Sequence, residues 1–139
     1  LAALERKLMG AIRASISNCA SLSQSIVLAA LRAPSIAAER REKLEILKAR
    51  AVRVREVVYR DKYRSLWDVY PFNAGYFMCI RVKGVDAEKL RLHLLEKYGV
   101  GVIAMGKTDI RVAFSCLELE QIEPLFECVA DAINDLKAG

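Results

Sequence analysis

The sequence predicts an α+β fold: a two-layer sandwich in which a small, mainly antiparallel sheet carries helices on one face, preceded by a long helix. From residue 75 onward, segments with a strand-like period and segments with a helical period follow in the order strand, helix, strand, strand, helix. The 139 residues are 54% hydrophobic, which is enough for a core and argues against disorder. Elements with one apolar face bury that face by packing in layers, so a sandwich is expected.

Two helices are predicted near the start of the chain, over residues 3–14 and from Ser21 to about Arg32. Ser21 and Gln24 have the spacing of a capping box. The second helix is apolar almost all round, so we expect it to be buried against a partner surface. The sequence shows no obvious partner for it.

A long helix is predicted after the break at Pro34, over about residues 36–59. Five apolar residues recur on it at helical spacing: Leu44, Leu47, Ala51, Val54 and Val58. They form a narrow seam on a helix whose other faces are charged, which is typical of a surface helix packed along a domain.

The next stretch, residues 60–74, is expected to be irregular and to contain an aromatic cluster. A strand is predicted over residues 76–83 and a helix over residues 87–98, with Asp86 as its N-cap and Gly99 as its C-cap. Four residues of this helix are expected to face the core: Leu90, Leu94, Leu95 and Tyr98.

The remaining elements are a short strand over residues 100–104, a strand over residues 107–115 and a final helix. Ser115 and Glu118 have the spacing of a capping box at the start of that helix. Its apolar residues recur at intervals of three and four: Ile122, Phe126, Val129, Ile133 and Leu136.

The strand over residues 107–115 carries the main candidate for a functional residue, Arg111. Apolar residues on one face alternate with Arg111, Ala113 and Ser115 on the other. A guanidinium binds carboxylate or phosphate through two parallel hydrogen bonds, and the small neighbours leave room for such an anion. Two interpretations stay open at this point: an anion-binding arginine, and an arginine on a solvated sheet face.

The sequence argues against several kinds of catalytic centre. His93 is the only histidine, so no Ser-His-Asp set is plausible, and Gly99 and Gly101 do not complete a phosphate-binding loop. No acidic pair has clear spacing for general acid–base catalysis. The four cysteines are far apart and form no Cys-x-x-Cys pair, which argues against a metal site and favours a reducing, cytoplasmic setting. We expect no reaction centred on this chain alone.

The positive charge of the chain is local. Residues 39–64 contain ten Lys or Arg against five Asp or Glu, which accounts for the net charge of +5. Opposite charges stand four residues apart on the predicted helix, as between Glu39 and Lys43, and this favours a solvated face. Aromatic residues are not interleaved with the basic ones, and the apolar runs are too short for a membrane helix. We expect no nucleic-acid and no membrane partner.

Several segments resemble a known family. Asn73–Phe77, Gly99–Ile103 and Asp109–Ser115, with the final helix, are similar to the C-terminal small domain of fold-type I, pyridoxal-phosphate-dependent aminotransferases of class I/II. The segment Ile12–Asn18 is similar to the loop and helix pair that closes the large domain in that family. The resemblance covers nearly the whole chain.

The resemblance implies a domain division and a substrate site. Residues 1–33 would be the end of the large cofactor-binding domain, and residues 34–139 would be the small domain. In the family the small-domain arginine binds the α-carboxylate of the substrate, and Arg111 occupies that position. The small domain would then close on the substrate and hold its amino group at the cofactor.

Two further substrate-binding candidates follow from the resemblance, Arg13 and Asn18. In aspartate-type members, an arginine near Arg13 reaches the neighbouring subunit and binds a side-chain carboxylate. Cys19 and Ala20 stand where prolines are common in that type. A structural Arg13, paired with a nearby acid or a helix end, is therefore the open alternative.

The resemblance also places the cofactor outside this chain. The family's Schiff-base lysine and its phosphate and pyridine contacts lie in the large domain, so they are expected upstream of Leu1. Lys107 is not in the family's lysine motif. We expect no catalytic and no cofactor-binding residue here, within a homodimeric protein that exchanges an amino group between an amino acid and a 2-oxo acid. The alternative is a stand-alone regulatory or protein-interaction module with an anion site at Arg111.

Overall fold

The structure, a computed structural model, describes residues 1–17, 20–73 and 75–138. Its helices and strands are α1 (Ala2–Ser15), α2 (Ser21–Arg32), α3 (Ile36–Val58), β1 (Trp67–Val69), β2 (Met78–Val82), α4 (Ala87–Tyr98), β3 (Ile103–Met105), β4 (Asp109–Val112) and α5 (Leu119–Ala138). The chain divides into two compact units, residues 1–42 and residues 43–139.

The first unit consists of α1, α2 and the beginning of α3, and neither α1 nor α2 has a buried residue. The described residues do not bury α2, since Ile26 is 60% exposed and Leu28 is 47% exposed, so its burial against a partner surface stays a prediction. A helix that is apolar on every side is buried only where other elements cover it, and no described element of this unit does so. The predicted capping box is wrong: Ala20 is the N-cap of α2, and no side chain caps it.

The second unit contains a four-stranded sheet in the order β1-β2-β4-β3, with every neighbouring pair antiparallel. This confirms the predicted α+β class with a small antiparallel sheet. β1 was not predicted, because a period of two cannot be recognised over three residues. The other strands are shorter than predicted or displaced by a few residues, as when β4 ends at Val112 instead of Ser115.

One hydrophobic core fills the second unit. The sheet contributes Met78, Ile80, Val82, Ile110 and Val112, and the helices contribute Val54, Val57, Leu90, Leu94, Ile122, Phe126, Val129 and Ile133. These residues are the ones that the strand and helix periods place on one face, so the predicted core is largely confirmed. Leu44 and Leu95 are exceptions, because they are 59% and 51% exposed.

Hydrogen bonds at the helix ends explain where α4 and α5 begin. The carboxylate of Asp86 accepts the backbone N–H groups of Glu88 and Lys89, at 3.0 and 3.1 Å, and this confirms the predicted N-cap. For α5, the backbone N–H of Glu118 donates to the Gln121 side chain at 2.9 Å. The capping interaction therefore lies three residues after the predicted one, because Phe114–Cys116 forms a 3-10 turn first.

The described residues show no membrane-spanning or metal-binding feature. None of their helices combines the length and apolarity that crossing a bilayer requires. No group of three or more His, Cys, Asp or Glu side chains in the described part of the chain is arranged to hold a metal ion.

Candidate functional site

Arg111 lies in the middle of β4, on the face of the sheet opposite the core. Its neighbours Ile110 and Val112 are 0% and 2% exposed, so the strand period places Arg111 on the other face. Across the sheet its register partners are Cys79 on β2 and Ile103 on β3. Neither partner is charged, and Arg111 itself is half-buried between them.

The guanidinium of Arg111 lies against an aromatic ring, and its Nε has no polar partner among the described residues. Its Cζ lies 4.7 Å from the ring centre of Phe77, a cation–π distance. Its Nε is buried and has no hydrogen-bond partner among the described residues. Leaving a buried donor unsatisfied costs about 1–3 kcal/mol, more for a charged group. A bound anion would remove this cost.

A second arginine on the same sheet face, Arg81, provides a contrast. Its Nε donates to the Asp109 carboxylate at 3.4 Å, and its guanidinium also donates to the Tyr70 hydroxyl. Tyr70 in turn donates to Asp109 at 3.1 Å. Tyr70 and Asp109 together raise the pKa of Arg81 above its ordinary value. Arg81 thus forms an ion pair with an acid of the same fold, whereas no acid among the described residues pairs with Arg111.

A groove of about 500 Å³ lies beside this region, between α3 and the segment that leads into β2. Most of its lining is apolar, with Leu47, Ala51 and Val52 on one side and Phe72 and Tyr76 on the other. The sequence did not predict this groove, because its two sides lie on separate segments of the chain, one on α3 and one at residues 72–76. The only feature of the sequence that pointed to a groove was the aromatic residues before the strand. The same residues are equally consistent with an aromatic cluster packed under a loop.

Arg13 lies in the last turn of α1, where it has a local partner. Its guanidinium donates to the hydroxyl of Ser17, just beyond the helix end. Arg13 belongs to the first unit and Arg111 to the second. The third candidate, Asn18, lies outside the described residues, as does Cys19.

His93 is half-buried and contributes to a cluster between α4 and α5. The Oδ2 atom of Asp135 lies 2.9 Å from His93 Nε2, 2.7 Å from Lys97 Nζ and 2.7 Å from the Tyr98 hydroxyl. These three hydrogen bonds, led by that of Lys97, hold the pKa of Asp135 well below its ordinary value. The cluster joins two helices on the core side of the sheet, so it is a structural feature.

Comparison with known proteins identifies the family. Residues 2–129 match the family described as aminotransferase class I and II. The chain therefore belongs to this family. No curated protein sequence is a match for it.

Solved aminotransferases share the fold. The chain is similar to α-aminoadipate aminotransferase LysN from Thermus thermophilus, complexed with N-(5'-phosphopyridoxyl)-L-leucine, with a TM-score of 0.80 and 21% identity over 97% of this chain and 36% of that chain. For an aminotransferase from Anaerococcus prevotii the TM-score is 0.72 and the identity is 24%, over 94% of this chain and 31% of that chain. For an archaeal alanine:glyoxylate aminotransferase the TM-score is 0.57 and the identity is 21%, over 66% of this chain and 24% of that chain.

These likenesses show the fold. The chain spans between 24% and 36% of the length of the three aminotransferases. The site around Arg111 does not fit pyridoxal phosphate itself, because a guanidinium stacked on Phe77 offers no group that could bond covalently to the cofactor. Lys107 is exposed in the turn between β3 and β4. The donor set fits a single planar carboxylate.

Proposed function

We propose that this chain is part of a pyridoxal-phosphate-dependent aminotransferase that transfers an amino group between an amino acid and a 2-oxo acid. In this proposal Arg111 binds the α-carboxylate of the substrate. The observation that carries it is the half-buried guanidinium of Arg111, whose Nε has no partner among the described residues. Membership of the aminotransferase family supports the reaction class.

The chemistry of the site favours a carboxylate shared by all substrates. Phe77 contacts the guanidinium, and the register partners Cys79 and Ile103 bring no competing acid. A carboxylate that binds the guanidinium can accept two parallel hydrogen bonds. Every amino acid and every 2-oxo acid carries such a group, so this contact would orient the substrate whatever its side chain.

We propose that residues 34–139 form the small domain and that residues 1–33 end the large domain. The absence of any buried residue in α1 and α2 supports this division, since the apolar face of α1 and the apolar helix α2 need a covering surface. Pyridoxal phosphate, which acts as an electron sink in such reactions, would be held by the rest of the protein. For Arg13, the bond to Ser17 supports the structural alternative, and a role in binding a side-chain carboxylate stays a prediction.

The proposed full-length protein is a homodimer in the reducing cytoplasm. Cys79, Cys116 and Cys128 are free thiols, which supports a reducing setting. The dimer follows from the family resemblance alone.

The test replaces Arg111 with Lys. In the full-length protein, kcat/KM should fall about tenfold to hundredfold for every amino-acid substrate, because an ammonium cannot form the two parallel hydrogen bonds. The melting temperature of the 139-residue chain should hardly change, since the apolar face of β4 is untouched. A large fall in melting temperature with little loss of activity would show that Arg111 is structural.

A second measurement separates this proposal from a stand-alone module. The 139-residue chain, mixed with pyridoxal phosphate and dialysed, should retain no cofactor absorption. A band that survives dialysis and disappears in Lys107→Ala would contradict the placement of the cofactor. A full-length protein that binds small carboxylates through Arg111 but has no aminotransferase activity would favour the regulatory module.

A further inference from the structure

A third arginine, Arg50 on α3, is joined to the Arg111 site through the backbone. Its Nη1 donates to the carbonyl oxygen of Ser115 at 2.5 Å, and its Nη2 donates to the Glu118 carboxylate at 2.9 Å. Its side chain is only 14% exposed. Arg50 thus fixes the turn that follows β4, four residues after Arg111.

The same turn is bonded to the segment that carries Phe77. The backbone N–H of Ser115 donates to the carbonyl oxygen of Tyr76 at 3.3 Å. The residue after Tyr76 is Phe77, whose ring contacts the guanidinium of Arg111. The peptide groups on either side of Ser115 therefore connect Arg50 to the support of Arg111.

Other arginines of this region have a different arrangement. Arg53, one turn further along α3, pairs with the Glu123 carboxylate on α5 at 2.6 Å and with Glu56 at 3.2 Å. Arg60 also pairs with Glu123. These ion pairs join α3 and its C-terminal end to α5 and do not involve the turn after β4. Arg53 is therefore a matched control for Arg50.

We propose that Arg50 is a positioning residue for the carboxylate site. It does not contact the substrate; it holds Ser115, which holds the Tyr76–Phe77 segment under the Arg111 guanidinium. Two hydrogen bonds to Ser115 and Glu118 require the fork of a guanidinium, which explains an arginine at this half-buried position. This inference rests on the proposed function of Arg111. It adds to the carboxylate site a residue of α3, whereas Arg111 lies on β4.

The test is a double-mutant cycle with propionate, a simple carboxylate, as the ligand of the 139-residue chain. Its affinity can be followed by NMR through the ring protons of Phe77, which is present in every variant. Arg50→Met should weaken propionate binding about tenfold, the loss expected when one charge-assisted hydrogen bond is broken. In an Arg111→Met background, Arg50→Met should cause no further loss, because it acts through Arg111. Arg53→Met should leave the affinity within about twofold while lowering the melting temperature.

Activity of the full-length protein gives a second readout. Arg50→Met should lower kcat/KM for an amino acid but not for the corresponding primary amine, which lacks the carboxylate. A general structural defect would lower both equally. Arg50→Lys keeps the charge but replaces the two donating nitrogens with one, so it should restore part of the loss. It also covers the case in which Arg50→Met folds poorly.

The outcomes separate the two proposals. If Arg111→Met weakens propionate binding and neither Arg50 variant changes the affinity of the chain that retains Arg111, the role of Arg50 is wrong and the Arg111 site stands. If Arg50→Met lowers affinity equally in both backgrounds, its effect does not pass through Arg111 and the inference is also wrong. If Arg111→Met leaves propionate binding unchanged, the site itself is wrong and the role of Arg50 falls with it.

Discussion

Both units of the chain have helices with periodic apolar residues, but only in the second unit are these residues buried. In residues 43–139 the periodic apolar residues of three helices and the sheet meet in one core. In residues 1–42 no described residue is buried, although Leu8, Ile12, Ile26 and Leu28 would suit a core. An apolar face shows that a helix needs a partner, whereas the identity of the partner depends on residues far away in the chain or outside it.

A second comparison, between Arg81 and Arg111, concerns charge. Both lie on the core-distal face of the sheet, and Arg81 is paired with Asp109 within the fold. Arg111, two residues beyond Asp109, has no such partner in the described part of the chain. Of two arginines on one surface, the unpaired one is the better candidate for binding an external anion.

The largest expected difference between the units is in amide hydrogen exchange. Core amides of residues 43–139 should exchange only on global unfolding, which costs about 5–15 kcal/mol in domains of this kind. In the dilute, monomeric chain, amides of α1 and α2 should exchange with free energies close to zero, since no buried residue stabilises these helices. Exchange measured by NMR or mass spectrometry would test this. Uniformly slow exchange from one end of a monomeric chain to the other would contradict it.

The second prediction compares matched apolar truncations. Phe114 is 1% exposed, so Phe114→Ala should lower the free energy of unfolding by about 3–5 kcal/mol. Leu28 in α2 is 47% exposed, so Leu28→Ala should change it by less than about 0.5 kcal/mol. Denaturant unfolding followed by circular dichroism, which detects the helices of both units, gives both values. Equal losses in the two variants would mean that the first unit has a core after all.

The third prediction concerns self-association of the 139-residue chain. Exposed apolar surface of this extent drives association, so the chain should form oligomers through α2. Ile26→Glu should weaken association by about tenfold or more, because burying an Ile side chain contributes about 1.5–3 kcal/mol. Ser25→Glu adds the same charge to the same helix and should have less effect. Sedimentation velocity over a concentration series would reveal the change, and an unmodified chain that stays monomeric throughout would refute the prediction.

The smallest expected effect concerns Asp135, whose three hydrogen bonds lower its pKa in the folded state. A lowered folded-state pKa means that ionised Asp135 stabilises the fold above its ordinary pKa of 3.8 and that this stabilisation is lost as the pH falls below it. Asp135→Asn should therefore lower the melting temperature modestly at pH 7, with a difference from the unmodified chain that shrinks in acid. Asp131→Asn, an exposed neighbour on α5, is the control. A difference that grows as the pH falls would reverse the assigned sign.

The sequence determined the features that depend on residues close together. Asp86 and Gly99 at the ends of α4 were predictable because a cap needs only the residues of one turn. The face of β4 that carries Arg111 was predictable because side chains alternate along any strand. The choice of Arg111 as the anion-binding candidate also came from the sequence, through its charge between small neighbours and through the family resemblance.

Tertiary structure decided the features that join distant residues. β1 exists because Trp67–Val69 pairs with β2. A segment of three residues is too short for its sequence pattern to predict this pairing. In the described residues Asp109 pairs with Arg81, whereas the Nε of Arg111 has no partner, and residue order alone does not decide which arginine an acid contacts. The bond from Arg50 to Ser115 joins residues 65 positions apart. A local pattern fixes the backbone and the direction of a side chain, but the partner of that side chain depends on which segments the whole fold brings together.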